Sequence, residues 1–412
     1  MRGRDRRLTV GGWRIRTGQL VVAEITLVAV VVAAFLPRWV LFGVVALAAA
    51  VLIATFGRAD GRWWYEAVTL RRRFNRRRRF AASRVVAAAV DGPPGPALLP
   101  WLRTLAPALQ VRPVSVGSAS VGVAADDDGW FAVVEVGSLW GEDDLAYRLD
   151  DPLSVAASPW ARGATSASAL APAPVPYVEL TALLHEAPDR AAVSALQIVL
   201  LPGAGLDSPR PGWVAVRVTP AHALAGVGAA GGVQAVQRAV AAAALRAART
   251  LSQHGFPARA VDADGLVTAL AEATGMVGAP QEHWAAWRAG GNVRTYLELV
   301  GWQPAQGTLA TGISQLALRF DGRDRFDGRD RPAGPGRDEA EPSSVLAVLA
   351  APATVLGRVG REVIAAAQAQ GVRALRLDGE QALAAWAAAP TAAPGPASRA
   401  GQVKASSSRA RS

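Results

Sequence analysis

The stretch LVVAEITLVAVVVAAFL at residues 20–36, then Pro37-Arg38, then WVLFGVVALAAAVLIATF at residues 39–56, carries one ionisable side chain in its first run, Glu24, and none in its second. At about 1.5 Å rise per residue each run extends roughly 26 Å as a helix, against a hydrocarbon core of ~30 Å. A proline and one charge between two apolar runs suit a tight turn, because bare backbone finds no hydrogen-bond partner in hydrocarbon. The expected element is therefore an antiparallel hairpin of two transmembrane helices, 20–36 and 39–56. A cleaved signal peptide competes for the first run, but the second run follows too closely to favour cleavage.

The charge next to the hairpin sets its expected orientation. Residues 1–19 carry six Arg against Asp5, and residues 57–84 carry ten Arg against Asp60 and Glu66. Only Arg38 lies in the turn. The positive-inside rule then puts the basic N-terminus 1–19 and everything after residue 56 on the cytoplasmic side, making a multi-pass cell-membrane protein with both termini cytoplasmic. Trp39 on one side, and Trp13, Trp63, Trp64 and Tyr65 on the other, occupy positions of interfacial aromatic belts. Glu24 falls one turn inside the first helix, where it reads as a partner-helix contact or a snorkelling carboxylate rather than a proton relay.

These flanks also account for more than the whole formal net charge of +11, so the remaining chain is close to neutral. That counts against the nucleic-acid reading that Arg71, Arg72, Arg73, Arg76, Arg77, Arg78 and Arg79, interleaved with Phe74 and Phe80, would otherwise invite, and leaves lipid contact or, less favoured, a protein partner. Beside a membrane such a run is expected to lie on anionic lipid headgroups, at about 1 kcal/mol per basic residue. The chain has no cysteine, which removes disulfides, zinc–thiolate sites and cysteine nucleophiles together.

From Val85 the pattern becomes β-rich runs alternating with Ala-rich helical ones, which favours a cytoplasmic α/β layered domain over 85–320, resumed at 344–389. Val111–Val123 and Trp130–Val136 flank Asp126-Asp127-Asp128-Gly129 and read as a hairpin. Gly141–Arg148 reads as a helix start with an acidic first turn, and 152–176 as a linker. Strands follow at Gln197–Leu201, Trp213–Val218, Thr295–Val300, Leu316–Phe320, Ser344–Leu349 and Val372–Leu377. Helices are expected at Val233–Ser252, Ala263–Ala273, Val355–Gln370 and Glu380–Ala388. The tandem hexapeptide at 319–324 and 325–330 opens a charged stretch, and 321–343 is expected to be a disordered insertion. Residues 390–412 read as a disordered tail.

No catalytic set emerges. Gly226-x-Gly228-x-x-Gly231 matches the dinucleotide fingerprint in letters, but its strand ends too early and no acidic residue follows to hold a ribose. The only lysine, Lys404, lies in the tail, which excludes a P-loop. Asp126 and Asp128 have the spacing that some sugar-nucleotide enzymes use for a metal diphosphate, though the same letters make an ordinary hairpin turn, the preferred reading. His185-Glu186 and Glu282-His283 are isolated pairs without metal spacing. Neither a catalytic residue nor a cofactor or metal is assigned.

The order of features resembles the EccE family of the actinobacterial type VII (ESX) secretion membrane complex. The resemblance rests on Trp13-Arg14-Ile15-Arg16-Thr17-Gly18-Gln19-Leu20 and the paired apolar runs. It rests further on Gly61-Arg62-Trp63-Trp64-Tyr65-Glu66 before the arginine run, and on Asn292-Val293-Arg294-Thr295-Tyr296. It implies a non-enzymatic, structural subunit for protein transport, stabilising an assembly with components of the EccB, EccC and EccD types. It also implies a cytoplasmic domain similar in fold to glycosyltransferases, without established activity. The alternative function is a membrane-tethered glycosyltransferase-like enzyme acting on the cytoplasmic face through Asp126 and Asp128.

Overall fold

The structure, a computed structural model, describes residues 8–10, 13–15, 17–35, 37–56, 58–59, 62–63, 68–79, 98–137, 176–184, 193–201, 210–226, 231–276, 278–289, 293–303, 312–322 and 342–396. The chain divides into two compact units, Met1–Arg79 and Phe80–Ser412.

In the first unit, β1 (Leu8–Val10) pairs antiparallel with β2 (Trp13–Ile15), so part of the basic N-terminus is a hairpin. Helices do form over both apolar runs, α1 over Thr17–Ala33 and α2 over Arg38–Phe56, and they pack on one another. The Pro37 carbonyl accepts from the Val40 and Leu41 amides and so starts α2. β3 (Arg58–Ala59) and β4 (Arg62–Trp63) make a second short hairpin, and residues 68–79 form α3.

Among the described residues no helix is long and apolar enough to cross a membrane. This overturns the transmembrane hairpin, and the orientation argued from its flanking arginines falls with it. Length is the physical reason. The chain turns at Ala34 and Phe35, so α1 takes part of its 17 residues from the polar Thr17-Gly18-Gln19 and rises about 26 Å, short of a ~30 Å core. Its partner α2 has 19 residues, one of them Arg38, and rises roughly 28 Å.

The second unit is built on one 12-stranded sheet. Its strands are β5 (Gln110–Val116), β6 (Ala119–Asp126), β7 (Gly129–Val136), β8 (Ala195–Leu201), β9 (Arg210–Val218) and β10 (Ala258–Ala260). They continue with β11 (Gln281–Glu282), β12 (Trp287–Arg288), β13 (Val293–Val300), β14 (Ile313–Asp321), β15 (Ser344–Ala351) and β16 (Arg373–Arg376). The spatial order is β11-β12-β13-β15-β14-β8-β9-β7-β6-β5, with β10 also on β7 and β16 also on β13.

Every one of these pairings is antiparallel, which corrects the α/β, glycosyltransferase-like expectation. The alternation of helix and strand in sequence was real. After β9 the long α7 (Gly232–Gln253) crosses the sheet and delivers β10, but β7 lies between β9 and β10. After β15, α9 (Ala353–Ala369) delivers β16 on the far side of β13. Both are split βαβ units, in which an interposed antiparallel strand separates the two that the helix connects.

Both sheet faces are covered, which is why β8 reads ALQIVLL, apolar at almost every position, instead of alternating. One face packs under α5 (Tyr177–Ala182), α7 and α9, with Val134, Ile198, Val214, Leu297 and Leu318 in its core. The other packs under α4 (Leu98–Leu105), α8 (Ala263–Thr274) and α10 (Gln381–Ala388), with Phe131, Val199, Trp213, Tyr296 and Val348. The first hexapeptide copy starts inside β14, where Arg319 and Phe320 are buried. Residues 391–393, expected in a tail, are buried in the second core. The linker 152–175, the Gly141–Arg148 segment, the second hexapeptide copy and residues 397–412 lie outside the described residues.

The described part of the Asn292–Tyr296 motif, Val293–Tyr296, is a structural joint. Arg294 donates to the Ala273 and Glu272 carbonyls at the C-terminal end of α8, and the Trp287 indole donates to Thr274 O at 3.1 Å. These orphan carbonyls carry the negative end of the helix dipole, so a guanidinium both satisfies and neutralises them. The Thr295 hydroxyl donates to Ala285 O, and the Tyr296 amide donates to Gln381 Oε1. Burial pushes the Tyr296 hydroxyl up to about 12, against a smaller opposing influence of Arg294. A group held neutral in the fold favours folding below its unfolded value near 10 and loses that contribution as pH rises toward 12. Arg294→Ala is expected to lower stability by about 1–3 kcal/mol in urea unfolding. Tyr296→Phe should flatten the decline of the melting temperature above pH 10.

Candidate functional site

Among the described residues of the second unit, a buried polar cluster forms on the α8–α10 face, where β6, β7 and β9 meet the end of the described residues. Arg217 stands on β9 within its apolar run Trp213–Val218, and Asp126 closes β6 at its turn into β7. Their side chains are 0% and 3% exposed. The contact is bidentate, Arg217 Nη1 to Asp126 Oδ1 at 2.6 Å and Nη2 to Oδ2 at 2.8 Å. Such a fork matches two parallel N–H donors to two carboxylate oxygens.

Apart from one bond within the β6–β7 turn, the remaining hydrogen bonds of the cluster draw residues 386–392 inward. Trp386 Nε1, on α10, donates to Asp126 Oδ2 at 3.1 Å, and the Asp128 amide donates to Oδ1 at 2.9 Å. The guanidinium lies 4.8 Å from the Phe131 ring centroid, and Phe131 meets Trp386 edge to face at 6.1 Å. Arg217 Nε donates to Thr391 O at 2.7 Å. Beside it, Gln197 Nε2 donates to Ala387 O, and Gln197 Oε1 accepts from the Thr391 and Ala392 amides. Gln315 Nε2 donates to Ala388 O at 2.7 Å.

Burial by itself would raise the Asp126 carboxyl, but the Arg217 pair and the amide and indole donors outweigh it and hold it below the ordinary carboxylate value of 3.8. The group is an anion already committed to its own chain. Asp126 turns inward to Arg217, and both of its carboxylate oxygens are engaged there. Among the described residues no group of three or more His, Asp or Glu side chains could hold a metal ion.

The other sequence candidates lie elsewhere. Gly226 ends a short helix, α6 (Pro220–Gly226), and Gly231 caps α7, so the glycine motif follows a helix and not the strand a phosphate loop needs. Gly228 and the His185-Glu186 pair are outside the described residues. Glu282 accepts from the Ala382 amide at the start of α10, a capping role that its sequence neighbourhood did not suggest. In the first unit Glu24 and Arg38 are exposed, Trp39 is 78% exposed, and Trp63 belongs to β4 while Trp64 is outside the described residues. Arg71, Arg72, Arg73, Arg76, Arg78 and Arg79 are exposed on α3 and Arg77 is half-buried, with Leu70 and Phe74 on the buried side.

Arg217, Trp386, Thr391 and Gln197 were not singled out from sequence. The available signal was one arginine inside the apolar run Trp213–Val218, a residue that a covered strand admits only with a partner.

Residues 208–297 match the family described as "Putative type VII ESX secretion system translocon, EccE". No curated protein matches the chain. The matched segment holds Arg217, α6 to α8 and the Val293–Tyr296 joint, so the EccE resemblance drawn from sequence motifs is borne out there. The motifs at residues 13–20 and 61–66 lie outside the match.

Removing one partner strands a buried charge, so Asp126→Asn is expected to cost ~3–5 kcal/mol, whereas Asp126→Leu combined with Arg217→Met should cost much less. Urea unfolding of the three proteins measures the difference. Because the folded Asp126 value is depressed, its contribution is present above pH 4 and lost as pH falls below the ordinary carboxylate value. The acid limb of the melting-temperature profile should therefore be shallower in the double variant than in the parent.

Proposed function

From the EccE-type segment at residues 208–297 we propose that the chain is a non-enzymatic, structural subunit of a type VII secretion membrane complex, stabilising the assembly for protein export. The match is the observation that carries this reading. It is supported by the state of the Asp126–Arg217 cluster, whose hydrogen-bonding capacity is spent inside the chain, as in a fold-holding device and unlike a site awaiting substrate. A subunit of this kind works through surfaces.

Two surfaces of the first unit suit that role. On α1, α2 and the turn between them, Ile25, Leu27, Phe35, Trp39, Phe42 and Leu47 are exposed, and helices of neighbouring subunits of the EccB, EccC or EccD types would cover them. The exposed arginines of α3 present a cationic face to anionic lipid headgroups, each worth about 1 kcal/mol near such a surface. Attraction of this kind is screened by salt.

Deleting the gene, or replacing Ile25, Phe35, Trp39 and Phe42 by serine, is expected to shift the complex to smaller species on native gels and to abolish secretion. An unchanged complex with normal export would remove the structural role. Replacing Arg72, Arg73, Arg78 and Arg79 by serine should reduce sedimentation with phosphatidylserine-containing vesicles, and should leave the small residual binding insensitive to salt.

A further inference from the structure

We infer that the second unit contains two copies of one module, β7-β8-β9-α7-β10-α8 and β13-β14-β15-α9-β16-α10, fused in one chain and related by a twofold axis through the Val199–Ala317 pair.

The first support is register. In each copy the first strand lies between the third and fourth, giving the spatial orders β10-β7-β9-β8 and β16-β13-β15-β14. Setting Trp130 against Val293 aligns β7 with β13, and all the pairings around them then coincide. Trp130 pairs with Val218, one residue before the Thr219-Pro220 helix start, and Val293 pairs with Ala351, directly before Pro352. Ala260 pairs with Val134 and Ala258 with Val136, as Arg376 pairs with Leu297 and Ala374 with Leu299. Even the hairpin strand outside the module corresponds, since Ala124 pairs with Phe131 as Trp287 pairs with Arg294.

The second support is a shared helix ending. In the first copy the Phe256 amide donates to Leu251 O and Gly255 N to Ser252 O; in the second, Val372 N donates to Ala367 O and Gly371 N to Gln368 O. Gly255 and Gly371 sit at φ +83 and +75, the left-handed position that terminates a helix. Beyond the edge strand, Val261 N donates to Val133 O and Leu377 N to Tyr296 O, both at 3.1 Å. Sequence keeps a trace at matching places: Glu135 and Glu298, Gln197 and Gln315, Gly255 and Gly371, Ala258 and Ala374, Asp262 and Asp378.

The third is the seam. β8 and β14 pair antiparallel, with Val199 opposite Ala317, Ile198 opposite Leu318 and Leu200 opposite Leu316. Exchanging the mates 198 with 316 and 200 with 318 turns the last two pairs into each other, as a twofold requires. The seam is thus an internal form of the isologous interface by which two identical chains would dimerise. One segment breaks the symmetry: Gln197 and its mate Gln315 both donate to α10, at Ala387 O and Ala388 O, because one chain end covers the axis for both copies. Arg217 of the first copy and Asp126 on the hairpin strand beside it, whose mates are Ala350 and Ala289, have no counterpart pair in the second copy and draw that segment to the first copy's side.

The test exchanges residues 252–260 with 368–376 in the full chain, leaving Phe256 and Val372 in place to keep core volume constant. A control makes the same exchange displaced by one position, which moves glycine off the left-handed residue and turns strand side chains to the opposite face. The in-frame exchange is expected to melt cooperatively within about 10 °C of the parent, a shift matching a few kcal/mol, while the displaced one loses its cooperative transition. If both melt alike, or if the in-frame exchange also loses its transition, the duplication is overturned.

Discussion

Arg217 is a permanent cation on the inward face of a strand that is covered on both sides, and the rest of the second unit is arranged to make that tolerable. Its charge is neutralised by Asp126 at a hairpin turn, its face is stacked on Phe131, and its Nε–H reaches the Thr391 carbonyl. A buried ion pair of this kind adds little net stability, because desolvation offsets attraction, but breaking it is costly. Its contribution is therefore specificity: it decides where residues 386–393 must lie, and those residues close the second core.

The same segment answers a second demand. Gln197 and Gln315 point into that core from adjacent strands, and a buried amide left without partners would destabilise it by ~1–3 kcal/mol each. Backbone carbonyls and amides of the chain end supply the partners. Arg294 does for α8 what Arg217 does for the chain end, anchoring a terminus whose carbonyls would otherwise be orphaned. Both arginines lie within the EccE-type segment, which places the shared part of the sequence at the joints that hold the layers together.

The elements themselves were largely legible. The 3.6-residue pattern of Val233–Ser252 and the β-rich runs at Gln197–Leu201 and Leu316–Phe320 correspond to α7, β8 and β14 within a few residues. Local propensity and apolar spacing are properties of a short window, so a single chain displays them. Pairing is not local. Helix–strand alternation has the same appearance whether the connected strands are neighbours or have a third between them, and that choice turned an expected α/β sheet into an antiparallel one.

The composition of residues 20–56 by itself determined that two helices form there and turn between them, since proline and long apolar runs leave few other options. It did not determine that they span a bilayer. Where each helix begins and ends is a matter of a few residues, and a few residues are the difference between spanning length and a shorter rod. For the rest, sequence marked the long helices and several of the strands and excluded thiol chemistry. Tertiary structure alone decided that Asp126 meets Arg217, because the two stand 91 positions apart and meet only when β6 and β9 flank β7 in one sheet.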